Sequence, residues 1–97
     1  MGGYAMAEQT LVKQFKVTNE YGIHARPAAL IVKAAGKYEC DIFIEKDGNK
    51  VSCKSIMGLM TIEGYPGSTL EVSATGPDAG EALAEIEELF VNKFYED

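Results

Sequence analysis

Hydrophobic positions along the 97-residue chain switch between a period of two and a period near 3.6, and the switches mark out its elements. Over residues 11–18, Leu11, Phe15 and Val17 oppose Gln14, Lys16 and Thr18, which predicts a half-buried strand. Asn19-Glu20-Tyr21-Gly22 leads out of it as a turn. Ala28, Ile31, Val32 and Ala35 then recur at helical spacing, predicting a helix from Ala25 to about Ala35 that Gly36 ends in a left-handed conformation. Ala29 and Leu30 fall off that stripe and are expected to be partly exposed. Asp47-Gly48 is a two-residue hairpin signal between residues 41–46 and 49–54. The register it sets pairs Ile44 with Val51 and Ile42 with Cys53, all four facing the helices.

Ser55 is placed as the N-cap of a short helical run over 56–62. One face of so short a helix can bury Leu59 and Ile62, so some of Ile56, Met57 and Met60 should remain at the surface, where flexible methionines suit several partners. The other reading tucks the whole helix into the core. Leu70, Val72 and Ala74 alternate with Glu71, Ser73 and Thr75 as the last strand. After Gly76-Pro77, Asp78 and Glu81 form a capping-box-like start to a helix with the stripe Ala79, Ala82, Leu83, Ile86, Leu89 and Phe90. The order βαββαβα, with helices on one side of an antiparallel sheet, predicts a two-layer α+β domain over residues 10–97. Residues 1–9 show no period and read as a disordered leader.

Composition narrows the function. The formal charge of −6 argues against nucleic acid as a partner. Eight of the nine basic residues precede Ile62, among them Arg26, Lys33, Lys37 and Lys54, and nine Asp or Glu follow it. A weakly basic face near His24 could steer an acidic protein partner. No apolar run approaches the ~20 residues of a membrane span, so no membrane insertion is expected. Cys40 and Cys53, in strand-like segments without a signal peptide, read as reduced core thiols of a cytoplasmic protein.

The candidate chemistry centres on Gly22-Ile23-His24-Ala25-Arg26-Pro27, which puts the one histidine and the one arginine of the chain two residues apart. Pro27 is tolerated only in a first helical turn, so the helix should begin at or just after His24. The N–H groups of Ala25 and Arg26 then lack intrahelical partners, and together with the helix dipole and the guanidinium they favour a phosphate. One histidine and two separated cysteines make no metal site, and no cofactor loop is present. Nothing in the sequence places a carboxylate beside His24, so a hydrolytic triad has no support. What remains is nucleophilic chemistry, in which an imidazole nitrogen takes up a group and later releases it. A histidine that merely borders a helix is the plainer alternative.

The stretch GIHARPAALIVKAA closely resembles the active-site segment of the HPr family, the histidine-containing phosphocarriers of the bacterial phosphoenolpyruvate-dependent sugar phosphotransferase system, and SIMGLMTI resembles the family's regulatory serine segment. The resemblance implies an open-faced sandwich with sheet order 1-4-2-3 and three helices on one face. It implies a carrier, not an enzyme, without cofactor or metal, whose His24 is phosphorylated on Nδ1 by Enzyme I and passes the group to IIA domains. Arg26 would contact the phosphate and Pro27 is the family's helix-start residue; from the residues themselves, the backbone of Ala25 and Arg26 would join that contact, and Ala29, Leu30, Lys33, Ile56, Met57 and Met60 are the expected docking residues. Ser55 matches the serine that an HPr kinase/phosphorylase modifies in many bacteria, and a plain N-cap explains it equally well. The chain departs from the family in its longer leader, in Glu63-Gly64-Tyr65-Pro66 and in its acidic final helix, none of which is expected to touch His24 or Arg26. The nitrogen-branch carriers of the same family share such a segment and stay open as an alternative, whereas a catabolite-repression relative lacking the histidine is excluded by His24. The competing class is a ferredoxin-like small-molecule-sensing domain.

Overall fold

The computed structural model describes residues 10–96, so the reading of residues 1–9 as a leader lies outside the described residues. In chain order the elements are β1 (Thr10–Lys16), α1 (Ala25–Ala35), β2 (Asp41–Lys46), β3 (Asn49–Ser52), α2 (Ile56–Met60), β4 (Thr69–Thr75) and α3 (Ala79–Val91), followed by a single turn at Lys93–Tyr95. The strands form one sheet in the order β1-β4-β2-β3, every ladder antiparallel. A ferredoxin-like βαββαβ core also has helices on one face of an antiparallel sheet but ends at its sixth element, so the third helix α3 separates this fold from the sensing-domain alternative.

The hairpin forms as its turn predicts. Asp47 and Gly48 both have positive φ, Ile44 pairs with Val51, and Cys53 N–H donates to Ile42 O at 2.8 Å. β3 stops at Ser52 because Ser55 N–H turns back to Ser52 O, setting up the cap of α2. The stripe of α3 is buried at every expected position and packs over β1 and β4, with Phe90 stacked between Phe15 and Phe94. Leu11 shares that inner face through its pairing with Ala74, yet it is 37% exposed, because the α3 residue above it is Gly80, which has no side chain to cover it. Cys40 and Cys53 are free and buried. Burial, joined at Cys40 by a hydrogen bond with Asp78, pushes their thiols up to about 11 and about 12, so both stay protonated at neutral pH.

Two expected caps take another form. Gly36 ends α1 in a right-handed conformation, φ −66°, because the chain leaves through two tight turns, Lys37 N–H to Ala34 O and Tyr38 N–H to Ala35 O. Asp78 sits at the N-cap of α3 but makes no capping bond. Its carboxylate instead accepts from the N–H groups of Glu39 and Cys40, each at 2.9 Å, tying the start of α3 to the start of β2.

The loop that carries the chain from β1 to α1 is held by backbone contacts too close for side chains. Gly22 has φ +68°, and a Cβ there would lie 2.3 Å from Gly64 O, which accepts from Ile23 N–H at 2.9 Å. A left-handed alanine costs ~1–2 kcal/mol before any clash. Gly22→Ala should therefore destabilise the protein by about 2 kcal/mol or more, read from urea unfolding, and an unchanged midpoint would show that the loop is free to move.

Asp78 makes the fold sensitive to acid. The N–H of Glu39 first, then the Cys40 contacts, hold its carboxyl below the usual carboxylate range against the opposing effect of burial. Its folded value lies below its unfolded value, so its contribution is complete above the ordinary range near pH 4 and is lost as pH falls through the depressed value. The urea midpoint should drop between pH 6 and pH 3 in the wild type, and Asp78→Asn should start lower at pH 6 and drop less.

Candidate functional site

The site grows from the turn after β1. Val17 exchanges backbone hydrogen bonds with Gly67 and Ser68, each at 2.8 Å, which fixes the end of the strand against the loop before β4. Asn19, 2% exposed, then donates from Nδ2 to Gly22 O at 2.8 Å and so closes the Asn19–Gly22 turn. Gly22 O also accepts from His24 N–H at 3.1 Å, and Ile23 is pinned to Gly64. His24 enters α1 as its N-cap in an extended conformation, its carbonyl accepting from Ala28 N–H at 3.0 Å.

His24 caps the helix with its backbone alone; its side chain makes no capping bond. Among the described residues the N–H groups of Ala25 and Arg26 find no partner, and Pro27 has no N–H. Ala25 and Arg26 are exposed, and the guanidinium forms no salt bridge among the described residues. Unpaired first-turn donors and an uncommitted cation thus stand beside a 40%-exposed imidazole. That combination has the chemistry that suits an anion near the ring.

A carboxylate does reach His24, contrary to the expectation from sequence. The ring Nε2 is 2.9 Å from Glu96 Oε2, and Glu96 Oε1 accepts from Asn19 Nδ2 at 2.9 Å. Glu96 lies 72 positions along the chain from His24, so no local pattern announces it. Asn19 had a weak signal, since asparagine three residues before a turn glycine is common turn chemistry. The Tyr21 ring meets the His24 ring edge-on, with centroids 6.1 Å apart. The unusual loop also lies nearer than expected: Gly64 anchors the residue before His24, and a Cβ on Gly64 would meet Ile23 Cγ1 at 2.6 Å.

Around α1, Ala29 and Lys33 are exposed and Leu30 is half-buried. Lys37 is bound to Glu85, and Lys54 donates to Tyr38 O at 2.8 Å, so of the basic residues near the site Arg26 and Lys33 carry no such tie among the described residues. Glu85 also accepts from the Tyr38 hydroxyl, which this bond, with burial adding to it, pushes up to about 12. α2 packs against α1. Ser55 Oγ caps α2, accepting from Gly58 N–H at 3.0 Å, and the residue is exposed. Leu59 and Ile62 are buried, while Ile56, Met57 and Met60 are 42%, 74% and 47% exposed, so the helix is not tucked wholly into the core. The described residues hold no cluster of three or more His, Cys, Asp or Glu that could bind a metal. No helix among them is long and apolar enough to cross a membrane.

Comparison with known proteins fits this geometry. The family model described as "PTS HPr component phosphorylation site" matches residues 11–92. The phosphocarrier protein HPr of Treponema pallidum is 48% identical over 87 residues, covering 90% of this chain and 99% of the relative. The HPr-like protein Crh of Halalkalibacterium halodurans is 49% identical over 71 residues, covering 73% and 84%. A crystal structure of HPr from Thermoanaerobacter tengcongensis superposes with a TM-score of 0.86 at 40% identity, covering 90% of this chain and 98% of that one. With its sheet order, its three helices and its histidine at the head of α1, the chain belongs to the HPr family of phosphocarriers of the phosphotransferase system.

Proposed function

We propose that the chain accepts a phosphoryl group from phosphorylated Enzyme I onto His24 Nδ1 and hands it to IIA domains during sugar uptake, acting in the cytoplasm as a carrier and not as an enzyme. The observation that carries the reading is the N-cap position of His24, with first-turn donors unpaired and Arg26 uncommitted beside a partly exposed ring. In the transfer the Nδ1 lone pair forms the N–P bond while the bond from phosphorus to the donor breaks, its electron pair going to the donor. Delivery to the IIA domain is the same step with the ring as the leaving group. The backbone N–H groups of Ala25 and Arg26 and the Arg26 guanidinium meet the phosphoryl oxygens as charge shifts onto them. Each charged hydrogen bond contributes ~1.5–3 kcal/mol, enough to position the group without trapping it.

Docking falls to the apolar residues Ala29, Leu30, Ile56, Met57 and Met60, with Lys33 beside them. Side chains without a fixed core role can repack against different partners, which a carrier between two kinds of protein requires. Ser55 is the regulatory position in this reading, modified by an HPr kinase/phosphorylase. Its hydroxyl is exposed, and a phosphate there places about −1.5 to −2 charges next to Ile56 and Met57, at the centre of the docking face.

Intact mass after incubation with phosphoenolpyruvate and Enzyme I tests the carrier role. One added phosphate, lost in acid, stable in base and absent from His24→Ala, is the expected result, and Arg26→Ala should slow its appearance roughly tenfold. Phosphate on the His24→Ala protein at the wild-type rate would exclude His24 as the acceptor. Running the assay with a nitrogen-branch Enzyme I alongside separates the two branches by rate. For Ser55, the alanine variant should lose ~1 kcal/mol of stability through the missing cap. Ser55→Asp should accept phosphate from Enzyme I several-fold more slowly, and a wild-type rate would leave Ser55 a cap alone.

A further inference from the structure

The carrier reading explains the helix end and Arg26 but leaves Glu96 without a task. The structure goes to unusual lengths to bring that carboxylate to the ring. Lys93, Phe94 and Tyr95 take φ of 53°, 55° and 59°, three successive non-glycine residues in the left-handed region, each at a cost of ~1–2 kcal/mol. Phe94, 1% exposed, anchors the turn against Phe90, and the reversal swings Glu96 back over the head of α1. On the other side, Asn19 is buried with both Nδ2 hydrogen bonds made, to Gly22 O and to Glu96, while its Oδ1 has no partner among the described residues. A strained turn and a half-satisfied buried amide both lie on the two segments that meet at His24, where strain is retained when it serves a site.

We propose that Glu96, aimed by Asn19, is a positioning residue that holds His24 in the tautomer with hydrogen on Nε2. A carboxylate can only accept, so at 2.9 Å the hydrogen lies on Nε2 and the lone pair is left on Nδ1. The inference rests on the carrier reading for its consequence. With Nε2 engaged, Nδ1 is the nucleophile, and the positive charge that appears on the ring as the N–P bond forms lies against the Glu96 carboxylate. The same logic lets a buried carboxylate orient the histidine of a catalytic triad.

Asn19 makes the idea sharper, because it decides how an amide would sit at position 96. Its Nδ2 requires an acceptor, so in Glu96→Gln the new carbonyl oxygen faces Asn19 and the new NH2 faces the ring. That NH2 donates to a lone pair on Nε2 and moves the ring hydrogen to Nδ1, the atom that must attack. Glu96→Gln is thus expected to be worse than Glu96→Ala, which merely releases the ring.

The test has two arms. Imidazole nitrogen shifts from long-range 1H–15N correlation spectra, recorded where the ring is neutral, report the tautomer without any partner protein. The wild type should show a protonated Nε2 and a bare Nδ1, Glu96→Ala a mixture, and Glu96→Gln the reversed pattern. Phosphoryl uptake from Enzyme I should fall roughly tenfold in Glu96→Ala and further in Glu96→Gln. Wild-type nitrogen shifts in both variants overturn the proposal, whatever the rates. So do reversed shifts in Glu96→Gln with an unchanged rate. Failure of His24 itself to accept phosphate would instead defeat the carrier reading, and the nitrogen shifts would still decide whether Glu96 sets the tautomer.

Discussion

Two glycines in separate loops press their backbones together, and the geometry of the site depends on that contact. A Cβ on Gly22 would lie 2.3 Å from Gly64 O, one on Gly64 would strike the Ile23 side chain at 2.6 Å, and the hydrogen bond from Ile23 N–H to Gly64 O joins the two loops. The first loop leaves β1 and the second enters β4, which pair along their whole length. The sheet therefore transmits its rigidity to the head of α1 through one backbone junction. His24 follows at once, so its backbone is held against the sheet through that junction. A positive φ at Gly22 lets the chain reverse fast enough for the next residues to start a helix.

The site is assembled by withholding stabilisation that an ordinary helix start would collect. A serine or aspartate at the N-cap contributes ~1 kcal/mol by occupying the first-turn donors. His24 leaves them open, and the deficit is offset by Pro27, whose ring fixes φ and is buried, and by Ala28 and Ile31 beneath it. Near residue 96 the same trade recurs. The left-handed turn is tolerable because Phe94 fills a place in the aromatic cluster with Phe15 and Phe90. In both cases a well-packed apolar residue carries an unfavourable backbone or polar arrangement next to the histidine.

Much of this could be read from the chain. The Asp47-Gly48 turn with its flanking alternation gave the correct pairing of Ile44 with Val51, and the stripe from Ala79 to Phe90 is buried residue for residue, because each depends on local period alone. His24 and Arg26 stood out because scarce residue types met at a recognisable helix start. What stayed hidden depended on contacts between distant segments. Asp78 looked like a capping residue, yet the free N–H groups of Glu39 and Cys40 compete for its carboxylate and win. Gly36 had the composition of a left-handed end, but tightening of the last turn left no need for one. Glu96 is one of many acidic residues in the second half of the chain, and only the turn at 93–95 singles it out.

The same distinction explains the short helix α2. A five-residue helix has room to bury little, and Leu59, with Ile62 just beyond it, takes that room completely. Folding alone would then favour polar residues at 56, 57 and 60, since exposed apolar side chains gain nothing from the sheet. These apolar side chains lie on a helix that packs against α1, which also carries the exposed Arg26 and Lys33, and under the proposed function an apolar patch with cations near it would suit an acidic partner. Ser55 starts this helix, with its cap bond to Gly58 setting where the patch begins. Under the proposed function a change of charge at that residue would act on α2 and leave the hydrogen bonds at the head of α1 as they are, so docking and phosphoryl chemistry would be separately adjustable.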